Sequence, residues 1–204
     1  MSDQVTTVVF DVGRVLFQWD LRFLFGKLIA DPAELETFVT TVVTPEWHFQ
    51  VDQGRAVAAI VAEQIGAFPQ HEALIRAYAA RFLETIPGPV PGSIELVESL
   101  HARGVPLFAI TNFGAEFWAQ FRPLHPVFGL FGDIVVSGTE RLAKPGPEIY
   151  ALAERRFGTP PEHMLFVDDS LPNVSAARAR GWHGHHFGDA AGLERDLRER
   201  GLLC

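Results

Sequence analysis

The sequence predicts an α/β protein: a parallel sheet covered by helices, with an all-helical segment inserted after the first strand. Three observations carry that expectation. Val5–Phe10 is an unbroken run of β-branched and aromatic residues that ends at a carboxylate, Asp11, as a central parallel strand buried on both faces does. From about Leu16 to Ile86 the apolar spacing is helical, with no convincing strand. After the seam Pro87-Gly88-Pro89-Val90-Pro91-Gly92, strand and helix patterns alternate to the end, as they do in sheets built from parallel units.

Within the inserted segment, Asp31-Pro32 with Glu34 is a helix start, with Asp as N-cap, Pro at the first helical position and Glu in the first turn. The apolar stripe Leu35, Phe38, Val39, Val42 continues it. Gln53–Ile65 and His71–Leu83 read as two more helices. Beyond the seam the order is a helix at Ile94–Arg103 stopped by Gly104, a strand at Pro106–Thr111, a helix at Ala115–Phe121 and a strand at Asp133–Ser137. A helix at Pro147–Phe157, a buried strand at Met164–Val167, a helix at Asn173–Arg180, a short strand at His185–Phe187 and a last helix at Leu193–Arg200 complete it. The expected division is a core of residues 1–16 and 88–204 and a helical unit of residues 17–87.

Composition narrows the class. The chain has 204 residues, 48% of them hydrophobic and 21% charged, enough for one α/β domain with an insertion and unlike a disordered chain. Seventeen basic against 25 acidic side chains give a formal charge of −8, so no overall field would hold a nucleic-acid backbone. The one cysteine, Cys204, excludes an internal disulfide framework. No apolar run approaches the ~18 residues of a membrane span, and Met1-Ser2-Asp3-Gln4 leads into strand residues rather than resembling a signal peptide. The expected setting is cytoplasmic and soluble, as a monomer or homodimer.

Four segments fall at the carboxyl ends of expected strands: Asp11-Val12-Gly13-Arg14-Val15, Thr111-Asn112, Lys144-Pro145 and Asp168-Asp169. In an open parallel sheet those ends share the rim where ligands bind. Three carboxylates crowded there repel one another, and a hard divalent cation such as Mg²⁺ relieves that with oxygen ligands. An ionised carboxylate beside it can attack phosphorus and form an aspartyl-phosphate that water hydrolyses. The phosphoryl oxygens then need a cation, hydroxyl or amide donors and backbone N–H groups around them, which Lys144, Thr111, Asn112 and the loop after Asp11 can supply. Fifteen of the seventeen basic residues are Arg, and the lysines are Lys27 and Lys144 alone. Keeping Lys at 144 suits a compact point charge that touches nucleophile and phosphoryl group together.

These segments resemble the four motifs of the haloacid dehalogenase superfamily: Phe10-Asp11-Val12-Gly13-Arg14-Val15-Leu16, Ala109-Ile110-Thr111-Asn112, Lys144-Pro145-Gly146-Pro147-Glu148-Ile149-Tyr150 and Phe166-Val167-Asp168-Asp169-Ser170. Each alone is a weak match; four in order around a helical insertion are a strong one. The resemblance implies a Rossmann-like core under a helical cap, Asp11 as nucleophile, and a small phosphorylated metabolite as substrate, a sugar phosphate first among them. Asp11, the carbonyl of Gly13, Asp168 and Asp169 would hold Mg²⁺, with Asp169 the preferred direct ligand and Asp168 ligating directly or through water.

Position 13 departs from the family. Its phosphatases mostly carry there a second Asp that protonates the leaving group and deprotonates water, help worth ~10²–10⁴-fold; Gly13 has no such group. The run Phe-Asp-Val-Gly-Arg-Val is similar to a subgroup of glucose-1-phosphate phosphatases and epoxide-hydrolase N-terminal phosphatases. The alternatives are a metal-independent 2-haloacid dehalogenase or a non-catalytic phosphate-binding relative. Adjacent Asp168 and Asp169 oppose the dehalogenase, because without a cation their repulsion is uncompensated.

Further residues carry narrower expectations. Arg14 either touches a substrate phosphate or pairs with a carboxylate of the insertion. Trp47-His48-Phe49 with Asp52 offer a surface for sugar stacking and hydroxyl reading, against plain packing. Phe113, Phe117 and Trp118 are expected along the cleft, with core packing the default for Phe117. His183, His185 and His186 read as alternation on a surface strand rather than as a metal cluster, and Arg195, Arg198 and Arg200 as a solvated helix face.

Overall fold

The computed structural model describes residues 4–204; Met1–Asp3, part of the lead-in discussed above, lie outside the described residues. Strand β1 (Thr7–Phe10) is followed by helices α1 (Arg22–Phe25), α2 (Pro32–Thr41), α3 (Pro45–Asp52), α4 (Val57–Ala67) and α5 (Glu72–Arg81). Then come α6 (Ser93–Ala102), β2 (Leu107–Thr111), α7 (Ala115–Phe121), β3 (Asp133–Val136), α8 (Ser137–Glu140), α9 (Pro147–Phe157), β4 (Met164–Asp168), α10 (Leu171–Ala179), β5 (His183–His186) and α11 (Ala190–Glu199). The five strands are parallel in the order β3-β2-β1-β4-β5. The order reverses at β1, which lies between β2 and β4, so the switch point where open α/β sheets bind ligands falls at the end of β1.

The buried run that announced β1 is divided between two cores. Val8 and Phe10 point into one, with residues of the insertion and of α6, α7 and α11. Val9 points into the other, with Tyr150 and Phe157 of α9, Ala177 of α10 and Trp182. Helices thus cover both faces, as period-two alternation on a doubly buried strand requires.

The insertion is tied to the sheet by its two crossings and by aromatic packing. Outgoing and returning chain run together: the Gln18 N–H donates to the Gly88 carbonyl at 2.9 Å and the Val90 N–H to the Leu16 carbonyl at 2.9 Å. Tyr78 of α5 is fully buried, its ring 4.8 Å from Trp47 and 5.6 Å from Phe117 of α7. Phe82 stacks on Phe117 with centroids 3.8 Å apart. These contacts make one continuous apolar cluster of insertion and core.

Several elements differ from expectation. Residues 45–52, to which the sequence pattern assigns no helix of their own, form α3; Thr44 caps it, accepting from the Trp47 N–H at 3.1 Å, and Pro45 opens it. Helix α4 begins at Val57 rather than Gln53 because Gln53 closes α3 and Gly54, at φ +90°, turns the chain. Ser137 leaves β3 to start α8, α10 begins two residues early at Leu171, and β5 is shifted to His183–His186 by its pairing with Leu165–Asp168. The N-cap at Asp31 is as expected, its carboxylate accepting from the Ala33 and Glu34 N–H groups. No helix among the described residues is long and apolar enough to cross a membrane.

Gly114, just beyond β2, sets how closely α3 approaches the sheet, since a Cβ there would overlap the Val51 side chain. Gly114→Ala should therefore destabilise by about 1–3 kcal/mol through overpacking, a fall in Tm of about 2–4 °C per kcal/mol at this size. Thermal unfolding checks it, and an unchanged Tm would show that α3 is not held this tightly.

Candidate active site

Parallel register brings the four segments together. Phe10 pairs with Val167, and the Asp11 N–H donates to the Val167 carbonyl at 2.8 Å, so Asp11 and Asp168 emerge side by side. Lys144 reaches them from the loop before α9. Its ammonium lies 2.8 Å from Asp11 Oδ1 and 2.7 Å from Asp168 Oδ2, and all three residues are buried. The Asn112 side chain fixes the lysine backbone from both ends: its Oδ1 accepts from the Lys144 N–H at 2.9 Å and its Nδ2 donates to the Lys144 carbonyl at 3.0 Å.

Asp168 is saturated by the protein. Besides Lys144 it accepts from the Ser170 N–H at 2.7 Å and from Asn173 Nδ2 at 3.1 Å on each oxygen. Asn173, on α10, escaped the sequence reading; the signal available was that a buried Asp needs donors and Asn173 stands in the first turn of the helix that follows it. Asp11 takes both its hydrogen bonds on Oδ1, from Lys144 and from the Val12 N–H at 2.7 Å. Asp169 keeps 28% of its side chain exposed and lines the cavity described below.

The charges are unbalanced, with three carboxylates around one buried ammonium. Burial, followed by the repulsion of Asp168 and Asp169, pushes the Asp11 carboxyl up to about 7 against the pull of Lys144. Burial and Asp168 likewise raise Asp169. Burial disfavours the Lys144 ammonium, but Asp11 and Asp168 outweigh it and hold its pKa above the usual lysine range. A site that penalises its own ionised carboxylates in this way fits a hard cation. One oxygen of each of Asp11, Asp168 and Asp169 lies within 4.8 Å of the others, the set of hard donors that magnesium takes.

Above this rim is a cavity of about 400 Å³ between sheet and insertion, a size suited to a small organic molecule. Its floor is Asp11–Arg14, Asn112, Phe113 and Asp169; its walls include Phe17, Trp19, Phe49, Phe82, Ile86 and Phe121. A Cβ on Gly13 would meet open space. Arg14 takes the left-handed conformation at φ +58°, which costs a non-glycine residue of order 1 kcal/mol. This turns its guanidinium over the Trp19 ring at 5.0 Å and to 3.9 Å from Asp169.

Some expectations change in the light of this geometry. Asn112 lines the cavity, but its amide is spent on Lys144, so its side chain positions the lysine rather than grasping a phosphoryl oxygen. Arg14 pairs with Asp169 of the core instead of a carboxylate of the insertion. Trp47 does not line the cavity; it packs edge-on against Tyr78 on the inner side of α3, which instead presents Pro45, Glu46, His48, Phe49 and Asp52. Thr111 is fully buried, with its hydroxyl unpartnered. Phe113 reaches the cavity, whereas Phe117 and Trp118 belong to the packing beneath it. Trp19, whose buried indole N–H has no partner, was missed because it stands in a segment with no periodicity.

A parallel sheet that gathers acid groups and an ammonium at its switch point, beneath a helical insertion, defines a Rossmann-like α/β hydrolase. The chain belongs to the haloacid dehalogenase-like hydrolase family, whose sequence model matches residues 5–181. It is 29% identical over 204 residues to the sesquiterpene phosphatase astK of Aspergillus oryzae, covering 98% of both proteins. Its fold is similar to that of a predicted HAD-like hydrolase from Porphyromonas gingivalis, with a TM-score of 0.73, 18% identity and coverage of 96% and 98%. It is also similar to a HAD enzyme of Bacteroides thetaiotaomicron in complex with magnesium and inorganic phosphate, with a TM-score of 0.67, 18% identity and coverage of 91% and 95%.

The raised Asp11 pKa has a measurable consequence without metal. A carboxyl raised from an ordinary 3.8 to about 7 contributes stability that is full below the unfolded value and is lost as pH rises through the folded one. In EDTA, Asp11→Asn should therefore gain in Tm over wild type progressively between about pH 4 and pH 7 and hold that gain above it. A gain that is the same at pH 4.5 and pH 8 in thermal melts would show that Asp11 is not raised.

Proposed function

We propose that the protein is a magnesium-dependent phosphatase that works through an aspartyl-phosphate on Asp11. The observation that carries this is the Lys144 ammonium bridging Asp11 and Asp168, with Asp169 beside them, where Asp11 and Asp169 meet the floor of the cavity. Asp11 attacks phosphorus in line with the departing alcohol, and water then releases inorganic phosphate from the aspartyl ester. Lys144 neutralises charge on the phosphoryl oxygens, and the unpartnered Thr111 hydroxyl with the Gly13 N–H donates to them; the Val12 and Arg14 N–H groups are held by Asp11 Oδ1 and the Phe17 carbonyl. Asp168, Asn112 and Asn173 hold the lysine in place.

Asp11, Asp169 and the Gly13 carbonyl would hold magnesium, with Asp168, saturated by protein donors, acting behind them. When bound, the ion supplies charge that keeps Asp11 ionised and offsets that of the phosphoryl group. Residues 17–87 form the cap and residues 1–16 and 88–204 the catalytic core. The magnesium and phosphate bound by the Bacteroides enzyme support this reading. A dehalogenase would gain nothing from Asp169 beside Asp168.

The cavity walls favour an apolar alcohol over the sugar expected from sequence. A sugar would set hydroxyls against Phe17, Phe49, Phe82 and Phe121, each unmet hydrogen bond costing about 1–3 kcal/mol. A hydrocarbon chain instead gains about 25 cal/mol per Å² buried. The full-length similarity to a sesquiterpene phosphatase points the same way. We assign the substrate class as isoprenoid-like or other apolar monophosphates.

With Mg²⁺, farnesyl phosphate should be hydrolysed with kcat/KM at least about tenfold above glucose 1-phosphate, a gap of some 1.4 kcal/mol. EDTA and Asp11→Asn should each abolish phosphate release, the first reversibly. Chloride release from chloroacetate that survives EDTA would overturn the phosphatase reading; preference for the sugar ester would overturn the substrate class alone.

A further inference from the structure

Opposite the nucleophile, on the other wall of the cavity, stands a buried carboxyl group that the roles above leave unused. We propose that Asp52 is the general acid and base of the reaction, supplied by the insertion in place of the side chain that Gly13 lacks. The inference rests on the phosphatase reading and deepens it.

Three observations carry it. Asp52 and Asp11 line the same cavity, as does Gly13, where a side chain would meet open space. Asp52 is only 5% exposed, and its buried Oδ1 has no hydrogen-bond partner, so the protein leaves an acid oxygen of a cavity-lining residue unsatisfied. Its placement is also built in. Asp52 ends α3, the Gly114 backbone N–H faces its carboxyl, and the absence of a side chain at Gly114 lets α3 come that close.

The other titratable groups lining the cavity are unsuited to the role. Asp11 is the nucleophile and Asp169 faces the metal site. Arg14 does not release a proton near neutrality. Glu46 is exposed and held below the usual carboxylate range by its own backbone and Thr44, so it has no proton to give. Burial pushes His48 down to about 3, leaving it neutral. Asp52 is pushed well above the ordinary range by burial and by the charge of Asp11, against the Gly114 N–H and Lys144, the direction that a proton donor needs. His48 is a positioning residue. Its Nε2 lies 3.5 Å from Asp52 Oδ1, too long for a firm hydrogen bond, while its Nδ1 is 2.6 Å from the Tyr78 hydroxyl and its ring stacks on Phe82.

The proton balance closes over one turnover. As the bond from Asp11 oxygen to phosphorus forms and the bond to the substrate oxygen breaks, protonated Asp52 gives its proton to that oxygen and the alcohol leaves. Asp52, now a carboxylate, takes a proton from the water that attacks the aspartyl-phosphate. The Asp11 oxygen–phosphorus bond breaks, phosphate departs and Asp52 is protonated again.

The test is leaving-group dependence in the full-length, magnesium-loaded enzyme. Wild-type kcat/KM should change little from 4-nitrophenyl phosphate to an alkyl phosphate, because the poor leaving group is protonated. Asp52→Asn should lower kcat for the alkyl ester about 10²-fold or more, with KM within about threefold. It should still release 4-nitrophenol in a stoichiometric burst, since that oxygen needs no proton and only hydrolysis of the aspartyl-phosphate slows. Adding Gly13→Asp to Asp52→Asn should recover at least about tenfold on the alkyl ester. Equal losses on both esters without a burst, or a loss under threefold on the alkyl ester, would overturn the inference and leave the phosphatase reading standing. Should Asp52→Asn not fold, a steep leaving-group dependence in wild type overturns it alone. Failure of wild type on every phosphate ester would remove the phosphatase reading and this inference with it.

Discussion

The site depends on one buried ammonium held between two carboxylates. Lys144, 1% exposed, is within 2.8 Å of Asp11 and 2.7 Å of Asp168. Burying such charges costs several kcal/mol per ion unless geometry and additional hydrogen bonds compensate, and most of the surrounding design is that compensation. Asn112 anchors the lysine backbone, and Asn173 and the Ser170 N–H saturate Asp168. Asp11 is left with the poorest share, its pKa raised to about 7. On the proposed reading that imbalance is functional: a nucleophile fully neutralised by the protein would have nothing left to gain from a cation or a phosphoryl group. The residue has to be lysine, because a planar guanidinium could not present one atom to two carboxylates converging at these distances.

The sheet explains why residues so distant in sequence can meet so closely. Register at the switch point leaves Asp11 and Asp168 as neighbours, and β2, on the other side of β1, carries Asn112 to where it captures the loop bearing Lys144. The insertion then covers the site from above, tied down by Phe82 stacked on Phe117 and by Tyr78 packed edge-on against both. Phe17, Phe82, Phe113 and Phe121 of the cavity and the packing aromatics beneath it therefore belong to one apolar cluster.

Much of this was legible in the sequence, for physical reasons that can be named. The doubly buried β1, the Pro-Gly seam and the alternation beyond it specify a parallel sheet because each depends on local pattern. The motif residues were legible because a strand's carboxyl end fixes which side chains share the rim. What was not legible depended on which way a side chain faces. Trp47 and His48 are adjacent, yet one packs inward on Tyr78 and the other lines the cavity, a difference set by the phase of a helix, α3, that its aromatic-rich sequence concealed. Asn112 was read as a phosphoryl donor because its position is right; only the contact to Lys144 shows its amide already committed. Asn173 and Trp19 carried no pattern of their own.

On the proposed reading, a proton donor on α3 changes what the insertion does. An acid at position 13 would sit on the same loop as the nucleophile and protonate any phosphoester that reached it. An acid at Asp52 is offered from the wall that carries Phe49 and His48, so its reach to the leaving oxygen depends on an alcohol that lies along that wall. An apolar chain seated there excludes water, and the resulting low dielectric both keeps Asp52 protonated and strengthens the pull of Lys144 on the phosphoryl oxygens. A small hydrophilic ester leaves water in the cavity and loses both effects. Substrate choice and proton transfer are then two consequences of the same packed helix, and the empty position at Gly13 removes the acid that would otherwise act without regard to what fills the cavity.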